Sequence, residues 1–207
     1  MRIFYVLYPA EPALQSGLDA IRFLANPREK ERAHLTVRGP CARHYQARTL
    51  ARLNDKIAGA VVQVSEPRTF WHGAQNTVYL SCSADALRAV WHKPDYDYHP
   101  HITVYDGDSR ELSAALLALL SRRPLLFSFR AARLLPLLSV KGQTSLTLQT
   151  SVALDELSRL VGRPLSLAAA QTLDLETRLR LIERVWNDLG ERCGTPAPQP
   201  PDSAYCG

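Results

Sequence analysis

The sequence predicts a mixed α/β protein, and three observations predict it. Short β-branched and aromatic runs alternate with helix-spaced apolar residues through about residue 150. The 207 residues are 46% apolar and 22% charged, a balance that supports a sizeable buried core. Two of the strand-like runs also share one pattern, His-aliphatic-Thr-Val.

The elements follow in order. Residues 3–8 (IFYVLY) read as a first strand, ended by Pro9. Helical spacing covers 12–25, with Leu14, Leu18, Ile21 and Leu24 on one face. Residues 33–37 (AHLTV) read as a short strand closed by Gly39-Pro40. A helix over 45–58 turns Leu50, Leu53 and Ile57 inward. Strands over 60–65 and 77–81 flank a turn at 73–76, and 85–92 reads as a short helix. Residues 101–105 (HITVY) form the next strand, followed by a helix over 110–121. Three later strands are expected over 125–130, 132–140 and 145–149, the last after a turn at Lys141-Gly142. The Leu-rich run 134–138 reads as core.

From 155 to 189 the pattern is helical, interrupted at 162–164, with Leu175, Leu179, Ile182 and Trp186 on one face. The Pro-rich end, TPAPQPPDSAYCG, predicts disorder. The expected organisation is a domain over 1–152, a helical extension over 153–192 and a tail over 193–207.

Composition narrows the function classes. The net charge of +5 suits an anionic ligand such as a nucleotide or short RNA. The cysteines at 41, 82, 193 and 206 form no C-x-x-C pair and no zinc spacing, which predicts a reduced, cytoplasmic protein. The opening MRIFYVLYPAEP reads as a strand and not a signal peptide. No run approaches the ~20 apolar residues of a membrane span. A monomer without membrane contact is expected.

The chemistry is carried by the repeated pattern. Residues i and i+2 of a strand share a face. His34 therefore lies with Thr36, and His101 with Thr103, while Leu35, Val37, Ile102 and Val104 point to the opposite side. Two imidazoles and two hydroxyls converge if the strands are neighbours. Phosphodiester cleavage needs a base for the attacking oxygen and an acid for the leaving one. Histidine, with a pKa of ~6.5, reaches both states near neutrality. Threonine hydroxyls can donate to the nonbridging oxygens as charge develops. No cofactor, metal or covalent nucleophile is required. A single H-x-T is an ordinary half-exposed strand segment; two with matched flanks are not.

The segments HLTV at 34–37 and PHITVY at 100–105 resemble the paired H-x-[TS]-x motifs of the two-histidine (2H) phosphoesterase superfamily, which includes 2′–5′ RNA ligase-like proteins and RNA cyclic phosphodiesterases. The resemblance covers roughly residues 1–150. It implies a bilobal fold: two pseudo-symmetric lobes of mainly antiparallel sheet, helices outside and a central cleft. It implies that His34, Thr36, His101 and Thr103 act on a cyclic phosphate or a 2′–5′ linkage. For a 2′,3′-cyclic phosphate it favours His101 as base and His34 as acid, with the roles exchanged in the reverse direction.

Further candidates surround the motifs. Tyr105 continues the 101/103 alternation and is a candidate to stack on a base, as is Tyr5 on the first strand. Arg38 and Lys141, near strand ends, are candidates for phosphate contact, ahead of Arg43 and the basic residues Arg122, Arg123, Arg130 and Arg133. The segment WHKPDYDYHPH collects His92, Asp95, Asp97, His99 and His101; it reads as a loop whose Tyr96, Tyr98 and His99 line the cleft mouth, with a metal site as the alternative. Two other functions stay open: RNA-end processing or 2′–5′ ligation without ATP, given no P-loop, and nucleotide or RNA binding without turnover.

Overall fold

A computed structural model describes residues 2–27, 31–72, 75–93, 97–131, 133–139, 146–193 and 195–196. Its strands are β1 (Arg2–Leu7), β2 (Leu35–Cys41), β3 (Val61–His72), β4 (Gln75–Ser83), β5 (His101–Gly107), β6 (Leu125–Arg130), β7 (Leu135–Ser139) and the two-residue β8 (Thr195–Pro196). Its helices are α1 (Pro12–Ala25), α2 (Ala47–Ile57), α3 (Asp85–Arg88), α4 (Arg110–Arg122), α5 (Leu146–Val161), α6 (Leu167–Gln171) and α7 (Leu175–Cys193). The mixed α/β class is the one expected.

The strands form one sheet in the order β7-β1-β2-β5-β4-β3-β6-β8, each pair antiparallel. The two strands that carry the repeated pattern, β2 and β5, are therefore neighbours at its middle. Their greasy residues anchor them: Leu35, Val37, Ile102 and Val104 are fully buried. α1 packs on β5 behind them, and α4 packs on β3 and β4. Leu14, Leu18, Ile21 and Leu24 of α1 are all buried, as the spacing predicts.

Local chemistry sets the helix starts. Pro12 occupies the first turn of α1, where a missing N–H costs nothing. Ser109 caps α4 by accepting from the Leu112 N–H at 3.1 Å. Asp174 does the same for α7, accepting from the Thr177 N–H at 2.7 Å.

The C-terminal helices share the core of the sheet domain. Ala153, Leu157, Ile182, Val185, Trp186 and Leu189 are buried in the same cluster as Ile3, Leu18 and Leu120. α7 crosses α1 so closely that a Cβ on Gly17 would sit 2.5 Å from Leu189. The Trp186 indole N–H donates to the Arg123 carbonyl at 2.9 Å, tying α7 to the end of α4.

Several boundaries differ from the sequence reading. The strand expected over 145–149 is not one: Leu146 opens α5, because the buried face of Ala153, Leu157 and Leu160 extends a helix back through the local Leu-Thr-Leu alternation. β2 does not end at Gly39-Pro40 but runs to Cys41, with Gly39 at φ +121° and Ile3 O only 2.8 Å from where a Cβ would lie. The helix expected over 85–92 stops at Arg88, since residues beyond it bond to β2: His92 N–H donates to Val37 O at 3.1 Å and Gly39 N–H to His92 O at 2.9 Å. In the Leu-rich run only Leu134 is fully buried, and Leu138 is exposed, because β7 is a sheet edge. Thr195 and Pro196 pair with β6, in the stretch expected to be disordered.

Trp186→Ala removes a fully buried ring and its hydrogen bond, a loss of about 3–5 kcal/mol. Thermal unfolding is expected to remain one transition with the Tm lowered by roughly 6–20 °C. A separate early transition, with the rest unchanged, would show that α7 is not part of the common core.

Candidate active site

The site is built by one cross-strand pair. β2 and β5 are in antiparallel register at Leu35 and Ile102. That register brings His34 opposite Thr103 and Thr36 opposite His101, one residue to either side. All four side chains leave the face opposite the buried Leu35 and Ile102, and all four are half-buried. The histidines are diagonal neighbours, a relation that separates backbones by roughly 7–8 Å. Side chains at that separation can flank a single phosphate.

The two halves hold their histidines alike. His34 Nδ1 lies 2.7 Å from the carbonyl of Arg32, and His101 Nδ1 lies 2.7 Å from the carbonyl of His99. Each acceptor is two residues upstream. A carbonyl only accepts, so each Nδ1 carries the hydrogen and each neutral ring keeps a lone pair on Nε2.

Each anchor is itself held. The buried Asp19 carboxylate on α1 accepts from Ala33 N–H at 2.8 Å, Arg32 Nε at 2.9 Å and Gln15 Nε2 at 2.9 Å, fixing the residues on either side of the Arg32 carbonyl. Burial raises the Asp19 pKa above the usual carboxylate value, and Arg32 pulls it back. On the other half, the His99 ring nitrogen Nε2 lies 3.0 Å from the Tyr79 hydroxyl. Tyr79 pairs with Thr103 across β4 and β5, and its ring centroid is 5.1 Å from that of His101.

Burial lowers the pKa of both histidines from 6.5 to about 4. Arg22 adds to the effect on His34, and Lys93 lowers both. Lys93 follows His92, whose parallel bridge to Arg38 delivers the lysine to the site. The Arg32 and His99 carbonyls oppose these shifts by stabilising the imidazolium. At neutral pH both imidazoles are therefore neutral and lie near the cationic Arg22 and Lys93, a surrounding that favours an anion.

The further candidates are distributed differently. Tyr105 does not join the His/Thr face. Thr103 pairs with Tyr79 and Tyr105 with Val78, so Val104 is an extra residue in β5, a bulge that turns Tyr105 into the core. Its hydroxyl accepts from the Ser109 N–H at 3.0 Å and borders a separate cavity of about 700 Å³ near Asn26, Leu173 and Arg178. Tyr5 is buried too: its ring stacks on Tyr45 at 4.5 Å and its hydroxyl accepts from the Tyr45 N–H at 2.6 Å. Arg38 donates to the Tyr45 hydroxyl at 2.9 Å and to the Val90 carbonyl, holding the 90–92 segment. Tyr98 donates to the Ala84 carbonyl at 2.6 Å beneath Arg88. Lys141, Asp95 and Tyr96 lie outside the described residues. Among the described residues no group of three His, Cys, Asp or Glu is placed to hold a metal.

Sequence reasoning missed Asp19, Tyr79, Phe70, Lys93 and Tyr8. Phe70 stands edge-on to His101 at 5.6 Å, and Tyr8 is 6.1 Å from His34. The alternation of Tyr79 and Ser81 with Val78 and Leu80 was a readable signal; the reach of Asp19 across fourteen residues to Ala33 was not.

Comparison with family models, with curated proteins and with solved structures found no match.

The depressed histidines make a prediction that needs no substrate. A ring that titrates near 4 in the fold and near 6.5 in the unfolded chain contributes stability that is complete above pH 6.5 and lost as pH falls toward 4. NMR titration should place both rings well below 6.5, with inorganic phosphate moving them up. Two rings titrating at 6.5 would contradict the geometry.

Proposed function

We propose that this protein is a metal-independent phosphodiesterase that opens a 2′,3′-cyclic phosphate or cleaves a 2′–5′ linkage by two-histidine acid–base catalysis. The observation that carries the reading is the mirrored pair of Nδ1–carbonyl bonds on adjacent strands. It leaves two equivalent Nε2 atoms for proton transfer, each beside a threonine hydroxyl on the neighbouring strand.

In the forward reaction one neutral imidazole takes the proton of a water as its oxygen attacks phosphorus. The other, protonated, gives its Nε2 proton to the departing ribose oxygen as the P–O bond breaks. Thr36 and Thr103 donate to the nonbridging oxygens. The protein is left with one neutral and one protonated ring in exchanged places, and solvent restores them. Arg22 and Lys93 sit near enough to shift the ring pKa, so they also favour the phosphate charge.

The same reading gives the sheet a two-lobed interpretation. Strands β7-β1-β2 form one half and β5-β4-β3-β6 the other, meeting where β2 and β5 pair, with α1 packed on β5 at that junction and α4 on β3 and β4. The 2H resemblance of HLTV and PHITVY supports this division. A reduced, cytoplasmic location belongs to the proposal and is supported by free thiols at Cys41, Cys82 and Cys193. No described helix is long and apolar enough to cross a membrane.

His34→Ala or His101→Ala should each lower kcat by about 10²–10⁴-fold on a 2′,3′-cyclic nucleotide, with unchanged circular dichroism. Turnover should persist in excess chelator. Full activity in either variant sinks the proposal.

The pH profile is a second test. One ring must be protonated while the free rings titrate near 4. So kcat/KM should fall as pH rises from 5 to 8. The fall in kcat should be displaced upward, because a bound phosphate favours the imidazolium. Lys93→Met should move both falls to higher pH. A kcat/KM that rises through this range would exclude the mechanism.

A further inference from the structure

The concave floor of the cleft does not end at the histidines. Register pairs carry a row of side chains across it: Thr103 on β5 opposes Tyr79 on β4, and Tyr79 opposes Arg68 on β3. Directly opposed residues share a face, so Arg68 opens onto the same side as Thr103. Two strand spacings separate their backbones, about 10 Å. An arginine side chain spans much of that gap.

The two ends of the row differ. At the β1 end Tyr8 lies beside His34, with the Arg32 guanidinium 5.5 Å above its ring. At the β3 end the floor is aromatic. Phe70, two residues from Arg68 and on its face, is half-buried and lies 4.9 Å from Tyr79 and 5.6 Å from His101. Arg68 is 56% exposed and pairs with the equally exposed Glu66, which accepts from Nε at 3.0 Å and from Nη2. An exposed pair of this kind is worth about 0–1 kcal/mol. It explains no part of the fold and yields readily to a better acceptor. A phosphate, which accepts two parallel N–H bonds from a guanidinium, is such an acceptor.

We infer that Phe70 and Arg68 form a subsite for a second nucleotide, Phe70 stacking its base and Arg68 holding its phosphodiester, so that the substrate is an RNA end of at least two nucleotides. The inference rests on the phosphodiesterase reading and adds the direction in which the substrate chain leaves: from the histidines across β4 toward β3. A mononucleoside cyclic phosphate fills only the histidine end. Glu66 competes with the incoming phosphate and sets the affinity of the subsite.

The test compares a nucleoside 2′,3′-cyclic phosphate with a dinucleotide ending in the same group. The dinucleotide should show about tenfold lower KM. Arg68→Gln should abolish that ratio, and Glu66→Gln should enlarge it. The salt dependence of dinucleotide KM should lose a slope of about 0.7 in Arg68→Gln. Equal KM for the two substrates in the wild type overturns the subsite, as does an Arg68→Gln effect that is the same on both. Turnover of neither substrate would sink the phosphodiesterase reading instead. In that case calorimetry with the mononucleotide and dinucleotide 3′-phosphates still decides the subsite: a tighter dinucleotide that depends on Arg68 supports it, and equal Kd overturns it.

Discussion

The antiparallel pairing of Leu35 with Ile102 is the contact on which the rest of the molecule depends. It joins strands sixty-seven positions apart and sets which side chains meet on the open face. A shift of one residue would turn one strand over against the other, sending its histidine into the apolar layer and exposing the Leu35 or Ile102 beside it. The register is protected by that cost. Four fully buried aliphatic side chains behind the strands have no second arrangement that keeps them dry.

The same burial shapes the chemistry. On the open face the Tyr8, Phe70 and Tyr79 rings stand against the histidines, and their burial disfavours the charged imidazoles. A solvated histidine pair would be half-protonated near neutrality without any help. Under the proposed reaction the proton on one ring would be stabilised by the phosphate bound between them. In that reading burial and proton availability are coupled through one quantity, the charge of the ligand.

Most of the architecture was legible in the sequence because it followed from periodicity. The spacing of Leu14, Leu18, Ile21 and Leu24 gave α1, and the alternation in HLTV and HITVY gave the two-faced strands. What escaped was irregular or distant. Tyr105 followed the alternation in sequence, but one unpaired residue, Val104, reversed its side. Arg38 and Tyr5 had the right chemistry for a ligand and were spent on Tyr45. Asp19 looked like one more polar residue of an amphipathic helix, yet it holds the backbone that orients His34. Pattern finds faces; it does not find which polar groups are already satisfied.

The short segment before the second motif carries a mechanical meaning. Residues 90–92 are laced to β2 by main-chain bonds at Val37 and Gly39, and by the Arg38 side chain at Val90. The chain that leads to His101 is thereby tied to the strand that follows His34. Separating β2 from the chain that leads to β5 would have to unzip this strap, which is independent of the β2–β5 pair. A vice with two bolts holds its gap. In the proposed phosphodiesterase, ligands would be sorted by whether they fit a fixed span between the two rings, with little ordering left to oppose their capture.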